Sequence, residues 1–348
     1  MKLHLARWVV SVSATMVLLA LPAPAQAWNT ETSVSGEAFG VFVNVAVAGG
    51  SVMVPKRPDV VLPPGGGMVE DEVLSVSFPG TIVSNTLRVI TTGAIGPNSA
   101  SAQSSATVEG LNIRDGLVTA DLVVAMASST SNGSTATSSA DGSALIGLSV
   151  NGTAITEAPP PNTRIPILGV GEVILNEQIF DGDGVTTTAL TVNMIHVVLS
   201  GAAGTGDIIV SSAHSDANFA LVSPPPPSAA TGFITSGGRL GTGRAIATFG
   251  FHAGPSLLGQ LQYTDHAQGL NVHSTGITGY SSLGGTCVTA SGIARVNNVD
   301  GYHFTVNQAC DNGEPGVGRD VFEVTVEELS YSSRSLGTVL TGGNLQLH

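Results

Sequence analysis

A period of two, with no helical period competing against it, constrains this sequence most. Phe322, Val324 and Val326 alternate with Glu323, Thr325 and Glu327, and Tyr302, Phe304 and Val306 alternate with His303, Thr305 and Asn307. Phe249 and Phe251 alternate in the same way with Thr248, Gly250 and His252. Successive side chains of a strand point to opposite faces, so such runs bury one face of an antiparallel sheet and leave the other wet. No window sustains an amphipathic helix with start and stop signals. The segment Gly342 to His348 repeats the alternation in Leu345 and Leu347 and predicts a closing strand. The fold class expected is all-β, arranged as sandwich-like or barrel-like layers.

The earlier part of the chain gives shorter apolar runs bounded by Gly, Pro, Asn and Asp. Gly36–Val47, Val73–Phe78, Leu117–Ala127, Leu145–Val150, Gly171–Leu175, Leu190–Leu199 and Asp207–Ala213 are the strand candidates. Leu190–Leu199 is apolar at odd and even positions alike, which predicts a central strand covered on both faces. Pro55–Gly67, with its prolines and three consecutive glycines, and the Ser/Thr-rich Ser128–Ser143 are expected to be loops or hairpin tips. Hydrophobic residues make up 42% of the chain, enough to build a core despite so many small polar residues.

The start of the chain reads as an export signal. Lys2 and Arg7 precede an apolar stretch from Trp8 to Leu21, and Ala25-Gln26-Ala27 fits a small-x-small cleavage site. Cleavage there removes residues 1–27 and leaves Trp28 first. Pro224 to Pro227 then divide the remainder, because consecutive prolines lack backbone donors and favour an extended spacer. The expected organisation is two consecutive β domains, 28–222 and 231–348, joined by the proline-rich linker 223–230. No later apolar run is long enough to cross a bilayer as a helix. A formal charge of −13 disfavours a phosphate backbone, so nucleic acid is not an expected partner.

Motifs that would carry catalysis are missing. There is no Gly-x-Ser-x-Gly, and Gly254-Pro255-Ser256-Leu257-Leu258-Gly259 has the wrong spacing for a nucleophile elbow. His214 lies between Ser212 and Asp216, but neighbours on one extended segment alternate faces. His252, His266, His273 and His303 collect in the second part beside Asp265, as separate solvated histidines or as a shared imidazole site. Calcium is the better ionic candidate. Asp181-Gly182-Asp183-Gly184, and Asp311, Asn312 and Glu314 with Asp320 nearby, offer oxygen ligands on glycine-bent loops, although Asp-Gly and Asn-Gly are ordinary turn formers and a turn without metal is the favoured reading. With aromatics at 5%, a stacking platform for sugars is poorly supplied.

Cys287 and Cys310 are the only cysteines, and export would place them where a disulfide persists. The segments Thr286–Asn297 and Tyr302–Asp311 read as a hairpin around Asn298-Val299-Asp300-Gly301. A four-residue loop leaves the two cysteines two positions out of register, a shift that a two-residue loop or a bulge corrects. Two buried free thiols are the competing reading.

Several strings together resemble the bacterial choice-of-anchor P family. They are Ser35-Gly36-Glu37-Ala38-Phe39-Gly40, Thr163-Arg164-Ile165, Asn176-Glu177-Gln178, Val192-Asn193-Met194-Ile195-His196-Val197 and Gly206-Asp207-Ile208-Ile209-Val210. The second part is similar to the β domain that often follows that module, through Ala247-Thr248-Phe249-Gly250-Phe251, Val272-His273-Ser274 and Gly342-Gly343-Asn344-Leu345-Gln346-Leu347-His348. The resemblance implies an exported, often surface-displayed protein with an extracellular or cell-envelope ligand and no assigned catalytic residues. The chain carries no Leu-Pro-x-Thr-Gly and no terminal apolar helix of the kind that anchors family members. The reading of function is therefore a non-catalytic structural or adhesive protein, with a secreted hydrolase as the rival.

Overall fold

The computed structural model describes residues 32–156, 158–219 and 232–348, and Glu31–His348 form one compact unit. The chain is all-β. The described residues form three antiparallel sheets, of six, ten and nine strands, with two short 3-10 turns near the C-terminus at Glu327–Leu329 and Ser333–Leu336. No helix among them is long and apolar enough to cross a membrane. The expected signal segment and the prolines of the expected linker lie outside the described residues.

The six-stranded sheet sets Ser33–Val47 between Gly204–Asn218 and Gly50–Val61, and Thr187–Gly201 between Gly171–Gly182 and Gly204–Asn218. Its inner face meets the ten-stranded sheet over a core of Val, Ile, Leu and Ala drawn from residues 38–213. Thr187–Gly201 is central, but the expectation that Leu190–Leu199 is covered on both faces is corrected. Gly40, Ser211, Met194 and Asn176 drop out of the pairing at the same level of four neighbouring strands, with Ser211 and Asn176 at positive φ. A one-residue slip of this kind sends the following side chains to the opposite face. Leu190 and Val192 before the slip, and Ile195, Val197 and Leu199 after it, therefore all enter one core. The other face carries the polar Thr191, Asn193 and His196.

Of the two segments expected to be loops or hairpin tips, Pro55–Gly67 is largely strand and Ser128–Ser143 is a hairpin tip with strand on both sides of its turn. Pro55 and Pro58 lie in Gly50–Val61, at the edge of the six-stranded sheet, and Pro55 falls at a register shift where no ladder donor is required. Ser128–Ser143 continues the strand Val118–Ser131, turns at Asn132-Gly133 and returns as Ala136–Ser139. Its hydroxyls satisfy one another across the hairpin: Ser129 and Ser138 lie 2.7 Å apart, Thr130 and Thr137 3.2 Å, and Ser129 also reaches Ser215 at 2.8 Å. Ser129 is consequently buried without penalty, and Ser131 is buried with its hydroxyl donating to the Thr186 carbonyl at 2.8 Å.

Residues from Ile234 onward form the nine-stranded sheet around a second core. Phe249, Phe251, Phe304, Phe322, Val324 and Val326 all point inward as their alternation predicts, with Phe249 and Phe322 stacked at 3.8 Å between centroids. The sheet curls until its last strand, Gly342–Leu347, lies beside the connection between Val299–Cys310 and Val321–Val326. The expected closing strand thus pairs Ile234–Thr242 on one side. The nine- and ten-stranded sheets meet over a seam that is mostly polar or small. Thr92, Gln103, Ser105 and Thr107 face Thr235, Ser236, Gln262 and Thr264, and Gly250 admits Ile90. Carboxylate–imidazole hydrogen bonds rim it: Glu109 with His266 at 3.0 Å and Glu70 with His273 at 2.8 Å.

Candidate functional site

Cys287 and Cys310 are joined in a disulfide, with Cα atoms 4.1 Å apart. The hairpin turns more tightly than expected, on Asn297-Asn298 with φ of 46° and 66°, so Val299 to Gly301 belong to the returning strand. Two positive φ values are what a two-residue turn needs to match the twist of its strands. Two register shifts along the hairpin each add one residue and bring Cys287 opposite Cys310.

The loop after Cys310 is a clasp on the edge of the closing strand. Asp320 Oδ2 accepts the Leu345 N–H at 2.7 Å while Oδ1 accepts that of Asn312 at 2.8 Å. Asp311 Oδ2 accepts the Leu347 N–H at 3.1 Å, and its Oδ1 that of Gly313. Asn312 donates from Nδ2 to the Arg319 carbonyl, and Glu314 Oε1 accepts from Asn344 Nδ2 at 2.9 Å. The four residues nominated for calcium do converge, but on backbone and amide donors. Among the described residues no three His, Cys, Asp or Glu side chains are grouped to hold a metal ion. Burial, assisted by neighbouring Asp311 and opposed by the two N–H bonds, pushes the fully buried Asp320 up to about 6.

Beside the clasp opens a cleft of about 400 Å³. The Ser/Thr hairpin supplies one wall through Ser128, Thr130 and Thr137, and the clasp and closing strand supply the other through Glu314, Asn344 and Gln346. The walls meet at a backbone contact, where the turn at Asp141-Gly142 lies against Gly342 and the Gly343 N–H donates to the Asp141 carbonyl at 3.2 Å. Glu314 is exposed overall, yet its carboxyl end is turned against Asn344. Withdrawal from water, with Asp311 and Asp320 close by, pushes it up to about 7, a rise that solvent at the cleft mouth tempers.

The other nominated groups stay apart. Asp183 accepts the N–H groups of Val185, Thr186 and Thr187, which hold its carboxyl well below the usual range and make the Asp181–Gly184 segment a self-contained turn. His214 pairs with Thr191 and Ser212 with Asn193, so no triad forms with Asp216. His266, His273 and His303 each pair a different glutamate, while His252 sits edge-on to Phe233, and Asp265 caps Ala267 and Gln268 and accepts from Tyr331. Sequence reasoning missed a bridge on the outer face of the six-stranded sheet, where His196 reaches Glu177 at 3.1 Å and Asp207 at 3.0 Å. Burial opposes the charged imidazole there, but the two carboxylates outweigh it and raise His196. The period slip at Met194 is what puts His196 outward.

These features define a disulfide-bonded protein of three antiparallel sheets with a polar cleft at the rim of its seam. Residues 35–159 match the family described as Domain of unknown function (DUF8256). That segment supplies the whole ten-stranded sheet but only two strands of the six-stranded one, so its core is completed by residues 163–218. No curated protein and no solved structure matches the chain.

Proposed function

We propose that this protein is exported and serves outside the cell or at its surface as a non-catalytic structural or adhesive module. The observation that carries the reading is the Cys287–Cys310 disulfide, which uses both cysteines and belongs to oxidising compartments. It agrees with the basic start, the apolar stretch and the Ala25-Gln26-Ala27 site. The resemblance to choice-of-anchor P proteins supports the same location, with an extracellular or cell-envelope ligand as partner. Fractionating the producing cells and sequencing the N-terminus of the purified protein tests this. Protein in the medium or envelope beginning at Trp28 is expected, and cytosolic protein retaining Met1 refutes it.

A second reading, hydrolysis, has one observation in its favour. Withdrawal from water raises the Glu314 carboxyl to about 7 at the wall of a cleft that Asp141 also lines, and a carboxyl that shares its proton with solvent near neutral pH is what glycoside cleavage requires. Turnover of a saccharide that is lost in Glu314→Gln would establish it over the non-catalytic reading.

A further inference from the structure

The cleft's lining selects a class of ligand. Among the described residues that line it the charged side chains are Asp141 and Glu314; Arg319, outside the lining, is turned to the Glu314 carbonyl at 3.0 Å. An anionic ligand would meet like charge with no cation among these lining residues to pair it, on a chain of net charge −13. The hairpin wall presents a ladder of hydroxyls. Each hydroxyl has one donor and two acceptor positions, and pairs such as Thr130–Thr137 leave part of that capacity free. The opposite wall is formed by the amide side chains of Asn344 and Gln346, with Asn344 Nδ2 donating to Glu314 and Gln346 Nε2 donating to the Ser99 hydroxyl. Pro315 and Val317 add a small apolar surface between the polar groups. The volume lies within the roughly 300–1,000 Å³ typical of small-molecule sites.

We infer that this cleft binds a neutral saccharide, its hydroxyls exchanging hydrogen bonds with the Ser/Thr ladder and its C–H face resting on Pro315 and Val317. The inference deepens the adhesive reading by naming the ligand class. Its test is separate from that reading, because binding is measured on purified protein whatever its cellular location.

The test is isothermal titration of the full-length protein with maltose, cellobiose and N,N′-diacetylchitobiose at millimolar concentration, with sodium glucuronate as the anionic comparator. Two variants accompany it. Thr137→Val is isosteric and removes one ladder hydroxyl, and Thr135→Trp fills the cleft from an exposed position on its wall. Saturable binding of a neutral sugar is expected, weakened about fivefold in Thr137→Val, as the loss of one neutral hydrogen bond implies, and abolished in Thr135→Trp. Each variant is compared only if its melting temperature matches the parent's, and Thr137→Val alone suffices if the bulkier change fails to fold. No binding by any neutral sugar, tighter binding of glucuronate, or affinity unchanged in Thr137→Val overturns the inference. Recovering the bound sugar intact after prolonged incubation keeps binding distinct from hydrolysis.

Discussion

Replacing Gly342 by alanine tests the contact that closes the cleft floor and holds the closing strand to the serine-rich hairpin. An added Cβ would lie 2.1 Å from the Gly142 Cα, 2.8 Å from its N and 3.1 Å from the Asp141 carbonyl oxygen. Carbon atoms rest at about 3.5 Å or more, so one backbone must retreat by about 1.4 Å. A flexible side chain could rotate aside, but these obstacles are main chain. Gly142 itself has φ of 99°, a backbone conformation that other residues rarely adopt. Overpacking costs about 1–3 kcal/mol where side chains can adjust, and with backbone on both sides the upper end of about 3 kcal/mol is expected. That corresponds to a fall of roughly 4–5 °C in melting temperature for a chain of this size. The assay is urea and thermal unfolding of Gly342→Ala beside Gly276→Ala, a strand glycine with nothing within 4 Å of its added Cβ. Equal midpoints for the two variants would refute the claim that the 142 turn and the closing strand touch.

Two further outcomes follow from the same corner of the molecule. The Cys287→Ala/Cys310→Ala double variant should lose about 3 kcal/mol by denaturant titration, because the disulfide encloses 22 intervening residues, and a loss under about 1 kcal/mol would show that the hairpin is held by its turn alone. Asp320 has a folded pKa raised from 3.8 to about 6, so its protonation favours the folded state at low pH and that gain disappears as pH rises through about 6. Stability should therefore increase by about 1.4 kcal/mol from this group between about pH 8 and about pH 5, approaching about 3 kcal/mol only below about pH 4, and Asp320→Asn should flatten that slope; an unchanged slope in the variant would remove Asp320 as its source.

What the sequence revealed depended on whether one face of a strand differs from the other. Phe322, Val324 and Val326 sit in a strand with constant phase, and their alternation reads directly as inside and outside. Leu190–Leu199 defeats the same reasoning because the phase changes at Met194, and the cause lies partly in Ser211 and Asn176 on neighbouring strands. Ser128–Ser143 was unreadable for another reason. Its buried and exposed faces both carry hydroxyls, which cross-strand pairing permits and hydropathy cannot distinguish. Asp311, Asn312, Glu314 and Asp320 were visible as a cluster of oxygens, but their donors come from residues 344–347, brought near only by the curl of the sheet. The cleft was hidden altogether, since its walls come from segments around 99, 128–141, 314–317 and 343–346.

The clasp explains why a cleft exists where it does. Gly342–Leu347 is the last strand of its sheet, and an exposed edge of unpaired N–H groups invites pairing with another chain. Here Asp320 and Asp311 occupy those donors with carboxylates in place of a tenth strand. A strand on that edge would have covered Asn344 and Gln346, whereas a side-chain cap protects the edge while leaving room beside it. The cap also fixes Glu314 two residues after Asn312 and against Asn344, so edge protection and cleft geometry share their residues. Asp320 substitutions should consequently alter stability and the cleft together. Thr137→Val, on the far wall and outside the clasp, should alter the cleft alone.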